Sequence, residues 1–173
     1  MKSLIKYIPL LVLIASLSAC SDDETPFNPT EGLTKIGEAY ALGAAAKVEL
    51  WAKEDLFAGY NNLFVALYDS VDGERITESH VQFNPIMAMS SGMKHSCPVI
   101  NPEETAVKEL FPGVVVFIMP SSDMGSWKME VRVHNHHNEK EGTATFDIIV
   151  ANPSVTQVKS FVTGSAEKMF VSY

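Results

Sequence analysis

Between residues 47 and 150, apolar and polar side chains repeatedly alternate with a period of two. This pattern restricts the chain to strands, because a β-strand sends successive side chains to opposite faces and so makes one dry face and one wet face. Residues 47–53 alternate cleanly. Trp127, Met129, Val131 and Val133 fall on one parity, and Lys128, Glu130, Arg132 and His134 on the other. Ala144, Phe146, Ile148 and Val150 form a second inward row, and Val81, Phe83, Met87 and Met89 a third. Residues 61–69 are apolar on both parities, as a central strand covered on both faces is. Residues 113–119 are a short apolar run rich in β-branched side chains, and 155–161 and 169–173 are weaker strand candidates. Asp72-Gly73 and residues 138–142 punctuate the runs as turns. No window carries a helical repeat. Only residues 102–110, with Glu103 and Glu104 behind Pro102, are expected to form a short helical turn. Six to eight short strands separated by turns predict an all-β fold, an antiparallel β-sandwich of immunoglobulin-like size.

Composition narrows the function classes. The 173 residues are 46% hydrophobic, enough to enclose a core in a single domain. Acids outnumber bases, 21 to 13, for a net charge of −8, and no basic stripe offsets them, so a nucleic-acid partner is disfavoured. Two cysteines exclude a disulfide framework. There is no nucleophile elbow, no phosphate-cradling glycine loop and no His-Glu-x-x-His pair. His95 and Cys97 are too close in sequence to act as a nucleophile and base drawn from separate elements. The chain therefore reads as a non-catalytic module.

The first residues read as an address. Lys2 and Lys6 precede a short apolar run over residues 8–17, too short for a bilayer span of about 20 residues, and small residues lead to Cys20. Leu17-Ser18-Ala19-Cys20 resembles the lipobox of bacterial lipoproteins, in which the cysteine becomes the acylated first residue. The bland alternative is an ordinary signal cleaved after Ala19. Ser21-Asp22-Asp23-Glu24 resembles the acidic tag behind the lipidated cysteine of surface-exported lipoproteins of the Bacteroidota. The expected organisation is a signal peptide over 1–19 and a lipidated Cys20 with an acidic tether to residue 32. A sandwich follows over 33–152, then C-terminal strands, or the opening of a second domain, over 153–173. The expected place is the outer membrane or cell surface, held by the lipid anchor.

With Cys20 acylated, Cys97 is the lone thiol of the folded part, and its surroundings are rich in soft donors. Residues 85–98 contain Met87, Met89, Met93, His95 and Cys97. Thioether, imidazole and thiolate together suit copper(I), with copper(II) or zinc served by the His/Cys pair. All five share odd parity. On one continuous strand they would spread over about 33 Å at roughly 3.3 Å per residue, so an ion can gather them only if the chain folds back at Ser90-Ser91-Gly92. Met93, His95 and Cys97 are the expected core ligands. Each has a plain alternative: Met87 and Met89 continue an inward row, His95 suits a solvated loop, and Cys97 suits a buried pocket beside Pro98.

Two segments carry a family resemblance. Met87-Ala88-Met89…Met93-Lys94-His95, with Phe117-Ile118-Met119…Met124-Gly125-Ser126-Trp127 further on, resembles the YtkA-like domain, related to FixH-type extracytoplasmic domains. The likeness covers residues 37–150. It implies an immunoglobulin-like sandwich linked with copper handling outside the cytoplasm, with copper-handling envelope proteins as partners. It also implies that Met124 lies on a loop at the same end as Met87–His95, as a further thioether. His-Ser-Cys-Pro departs from the plainer Met/His pattern and moves the preference towards zinc.

A second cluster, His134-Asn135-His136-His137, follows a strand whose even positions face solvent, so His134 and His136 project together as a second metal-site candidate. A polar hairpin tip is the bland reading favoured for it, because the sequence fixes no carboxylate or thiol nearby. His80 is the one histidine outside both clusters. A metal-free surface lipoprotein that binds a protein or glycan partner is the competing function.

Overall fold

The computed structural model describes residues 27–153, 155, 158–165 and 167–172; the leader and Cys20 lie outside the described residues. Among the described residues, twelve strands form three antiparallel sheets. The first contains β1 (Thr34–Ala41), β2 (Ala46–Ala52), β3 (Gly59–Asp69), β8 (Phe111–Phe117) and β7 (Val99–Ile100) in that order, with β4 (Arg75–Ile76) on β3. The second runs β10 (Lys140–Ile148), β9 (Gly125–Asn135), β5 (Ser79–Met89), β6 (Lys94–His95). A separate hairpin pairs β11 (Val158–Val162) with β12 (Lys168–Ser172). The two larger sheets face each other as an all-β sandwich. No helix among the described residues is long and apolar enough to cross a membrane.

The period-two rows become the core. Trp127, Met129, Val131 and Val133 on β9 are at most 1% exposed, and Ala144, Phe146, Ile148 and Val150 stack beside them. From the opposite sheet come Val48, Leu50, Leu63, Val65, Phe111 and Phe117. Trp127 meets Phe117 edge-on at 5.1 Å between ring centroids, and its indole N–H donates to the Met119 carbonyl at 2.9 Å. That bond satisfies the one polar atom of an otherwise buried ring. On the outer face of the first sheet, the Glu49 carboxylate accepts from Lys35 and Lys47 at 3.1 Å each, and from Trp51 and Tyr68 at 3.3 Å each. Burial alone would raise its pKa, but the two ammonium groups more than offset this and hold the carboxyl below its usual range.

One flank of the sandwich closes through glycine. A 3-10 turn, Leu42–Ala44, follows β1 and lies on the β9–β10 hairpin. A Cβ on Gly43 would sit 2.2 Å from the Glu141 carbonyl oxygen, and one on Gly142 would sit 2.6 Å from the Ala44 nitrogen and 2.9 Å from the Ala41 carbonyl oxygen. Only residues without a Cβ let the two backbones come this close.

Two segments depart from expectation. Residues 102–110 do not form a helical turn. They make an irregular connector, because their backbone bonds reach outward to β5 and its approach: Ser79 N–H donates to Glu104 O, and Ala106 N–H to Thr77 O, both at 2.9 Å. The connector then turns through left-handed Lys108 and Glu109. The segment just before it also dresses the edge of β5 that β6 leaves bare. Phe83 N–H donates to the Asn101 side chain at 2.8 Å, and the Ser96 hydroxyl donates to Pro85 O at 2.9 Å. The second departure is β1, which carries no clean alternation. A register irregularity between Lys35 and Gly37 interrupts its pairing with β2, and such a bulge shifts side-chain parity.

Candidate metal centre

The structure gathers three histidines. His80 near the start of β5 lies directly opposite His134 near the end of β9, and directly opposite residues on antiparallel strands share a face. His136, in the turn just past β9, folds back over them. The His80 and His134 rings stack with centroids 5.9 Å apart, and His136 stands edge-on to both at 5.1 and 5.3 Å. One ring nitrogen from each lies within 4.8 Å of the other two. Among the described residues no other three His, Cys, Asp or Glu side chains converge this closely. A tetrahedral ion bound at about 2.0–2.1 Å holds such nitrogens roughly 3.3 Å apart. Small rotations of these exposed and half-buried rings close the difference.

A buried polar frame sets their positions. Ser79 and Asn135, one residue inward of His80 and His134, are both 0% exposed. The Ser79 hydroxyl donates to His134 O at 2.8 Å. The Asn135 amide donates to Ala44 O at 3.1 Å, and its side-chain oxygen accepts the His137 N–H at 2.9 Å. Asn138 reaches the same Ala44 carbonyl at 3.1 Å. The turn carrying His136 is thus pinned on both sides to the 3-10 turn beneath it. Buried polar groups are costly unless satisfied, and these are satisfied in a way that fixes the backbone under the imidazoles.

Two carboxylates flank the rings. Glu104 Oε1 lies 3.2 Å from His80 Nε2, and Glu139 Oε2 lies 3.4 Å from His134 Nε2. This corrects the reading of residues 134–137 as a hairpin tip without a nearby carboxylate. A carboxylate accepting Nε2–H leaves the other ring nitrogen free to bind a metal, and such outer partners orient metal-binding histidines. Glu139 holds its place at a conformational cost. Its φ is +54°, in the left-handed region where side chains other than Gly, Asn and Asp are disfavoured. Glu139→Gly should therefore leave the melting temperature unchanged or raise it, while weakening metal binding by roughly 10-fold or more. Paired thermal melts and metal titrations check both signs; a variant that loses stability and keeps full affinity refutes this role.

The soft-ligand segment lies elsewhere. The chain reverses at Ser90–Gly92, and β6 returns along β5 with His95 opposite Met87 and Lys94 opposite Ala88. Met87 is 1% exposed and belongs to the core. A Cβ on Gly125 would lie 2.6 Å from Met87 Cε and 2.7 Å from Met89 Sδ, so both side chains pack on that glycine. Met89 is half-buried, whereas Met93 and Met124 are exposed. Met89 N–H donates to Met93 O at 2.9 Å, Ser90 N–H to Met124 O at 2.8 Å, and the Ser90 hydroxyl to Met124 Sδ at 3.8 Å. The structure thus brings four methionines to one end of the four-stranded sheet. Cys97 packs half-buried against the core, and burial pushes its thiol up to about 12. The thiolate that would bind a metal is therefore scarce near neutral pH.

Sequence reading missed His80, Glu104, Ser79 and Asn135 as parts of a site. His80 shares the solvent-facing parity of Gln82, and pairing His80 with His134 needs the β5–β9 register, which local alternation does not specify. Compared with known proteins, the chain matches no family model and no curated protein.

Proposed function

We propose that this protein is a non-catalytic metal-binding β-sandwich that holds one borderline divalent ion, copper(II) or zinc(II), on His80, His134 and His136. The observation that carries the reading is the convergence of three imidazole nitrogens within 4.8 Å above a fully buried Ser79/Asn135 frame. Imidazole suits copper and zinc, and three protein nitrogens with flanking carboxylates are a donor set for either. The lipobox-like run ending at Cys20 supports an extracytoplasmic place on a lipid anchor, where copper-handling envelope proteins are fitting partners. Titrating the full chain in detergent with each ion should give one equivalent bound, and loss of that equivalent on chelation. Absence of binding to either ion overturns the reading and leaves a metal-free surface module for a protein or glycan partner.

A second reading concerns the opposite end of the same strands. The methionine end, with Met93 and Met124 exposed, favours copper(I), with His95 as a further donor. His80 and Met89 are nine residues apart on one strand, about 30 Å, so the two ends cannot share an ion. Copper(I) uptake that survives loss of His80 and His134 but not of Met93 and Met124 assigns it there.

A further inference from the structure

We infer that the ion on His80, His134 and His136 presents an open coordination position to a small oxyanion, a carboxylate above all, whose second oxygen is received by Arg132. The inference rests on the metal reading above and names the ligand class of that same centre.

A groove of about 620 Å³ opens beside the triad on the outer face of β5, β9 and β10. Two rows of cross-strand partners floor it: His80, His134 and Glu141 in one, and Gln82, Arg132 and Thr143 in the next. Arg132 and His134 are two residues apart on one strand and face the same way, about 7 Å from row to row. A carboxylate with one oxygen about 2 Å from the ion and the other about 2.8 Å from a guanidinium nitrogen spans that spacing. His80 and His134 line the groove and His136 does not, which leaves the groove side available to a further ligand of the ion.

Arg132 is exposed and forms no ion pair among the described residues, although the chain carries a large excess of acid. Its neighbouring carboxylate, Glu130, accepts instead from the Asn84 amide at 2.7 Å. Its cross-strand neighbours, Gln82 and Thr143, are neutral hydrogen-bonding side chains. The guanidinium fork matches a carboxylate in shape and charge and loses little freedom on pairing. Glu141 also lines the groove and opposes a bare anion, so binding should require the ion.

The experiment uses the full chain with and without one equivalent of copper(II), titrated with succinate at constant ionic strength and followed by the visible copper absorption band. The native protein should show a saturable band shift only when loaded. Arg132→Gln, at an exposed position, should bind copper as tightly as the native chain but require roughly 10-fold more succinate. Copper binding with no succinate response, or with the same response in Arg132→Gln, overturns this inference and leaves the metal centre standing. Failure to bind copper or zinc at all overturns both.

Discussion

Replacing His80 and His134 together with alanine should abolish the metal-induced rise in melting temperature that the native protein is expected to show. A ligand that binds only the folded state stabilises it by RT ln(1 + [L]/Kd), about 2.7 kcal/mol at 100 times Kd. For a domain of this size that corresponds to a rise of about 5–10 °C. His80 is exposed and His134 half-buried, so the double substitution should cost the metal-free protein little. His137→Ala is the matched control. His137 is exposed and outside the triad, and its contribution to the frame is a backbone N–H that alanine retains. Differential scanning calorimetry with zinc and with copper(II) reads the result. An equal rise in the double variant places the ion elsewhere on the molecule.

Gly142→Ala should be among the most destabilising single-methyl changes available. The added Cβ would meet the Ala44 nitrogen at 2.6 Å and the Ala41 carbonyl oxygen at 2.9 Å. Both are backbone atoms, so neither can swing aside as a side-chain tip would. Overpacking of this kind costs about 1–3 kcal/mol, and a backbone clash lies at the upper end, with a fall in melting temperature of roughly 10 °C. Gly164→Ala, where the added carbon meets nothing within 4 Å, should be close to neutral. Because Glu141 and Gly142 belong to the same β9–β10 hairpin as His134 and His136, the Gly142 variant should also bind metal more weakly at temperatures where it is still folded. A Gly142→Ala protein with native melting temperature refutes the close-approach argument.

The legible parts of this molecule were those where one face is dry. The rows led by Trp127 and Ala144, and Val81, Phe83 and Met87 on β5, announce themselves because burial demands strict alternation. β1 escapes notice because its irregularity at Lys35/Gly37 breaks that alternation. β4, β6 and β7 are two residues each, too short for any period to register. The connector at 102–110 carries helix-start chemistry at Pro102 and Glu103, but tertiary hydrogen bonds to Thr77 and Ser79 outcompete a helical turn. At the site, His134 and His136 could be picked from their spacing. His80 and Glu104 could not, since they arrive from more than 25 residues away through pairing register and a loop that folds back on β5.

How the sheet edges are covered has a consequence for molecules at high concentration. β1 and β10 lie against each other along the glycine seam, and on the unpaired stretch of β5 the Ser79 and Phe83 amides and the Pro85 carbonyl are taken by Glu104, Asn101 and Ser96. Exposed strand borders are where neighbouring chains begin to add to one another and aggregate. Where the sandwich covers these borders, fibre-like growth should not start from them. The β11–β12 hairpin, with Phe161, Val162 and Met169 in solvent, is the place where self-association has a foothold.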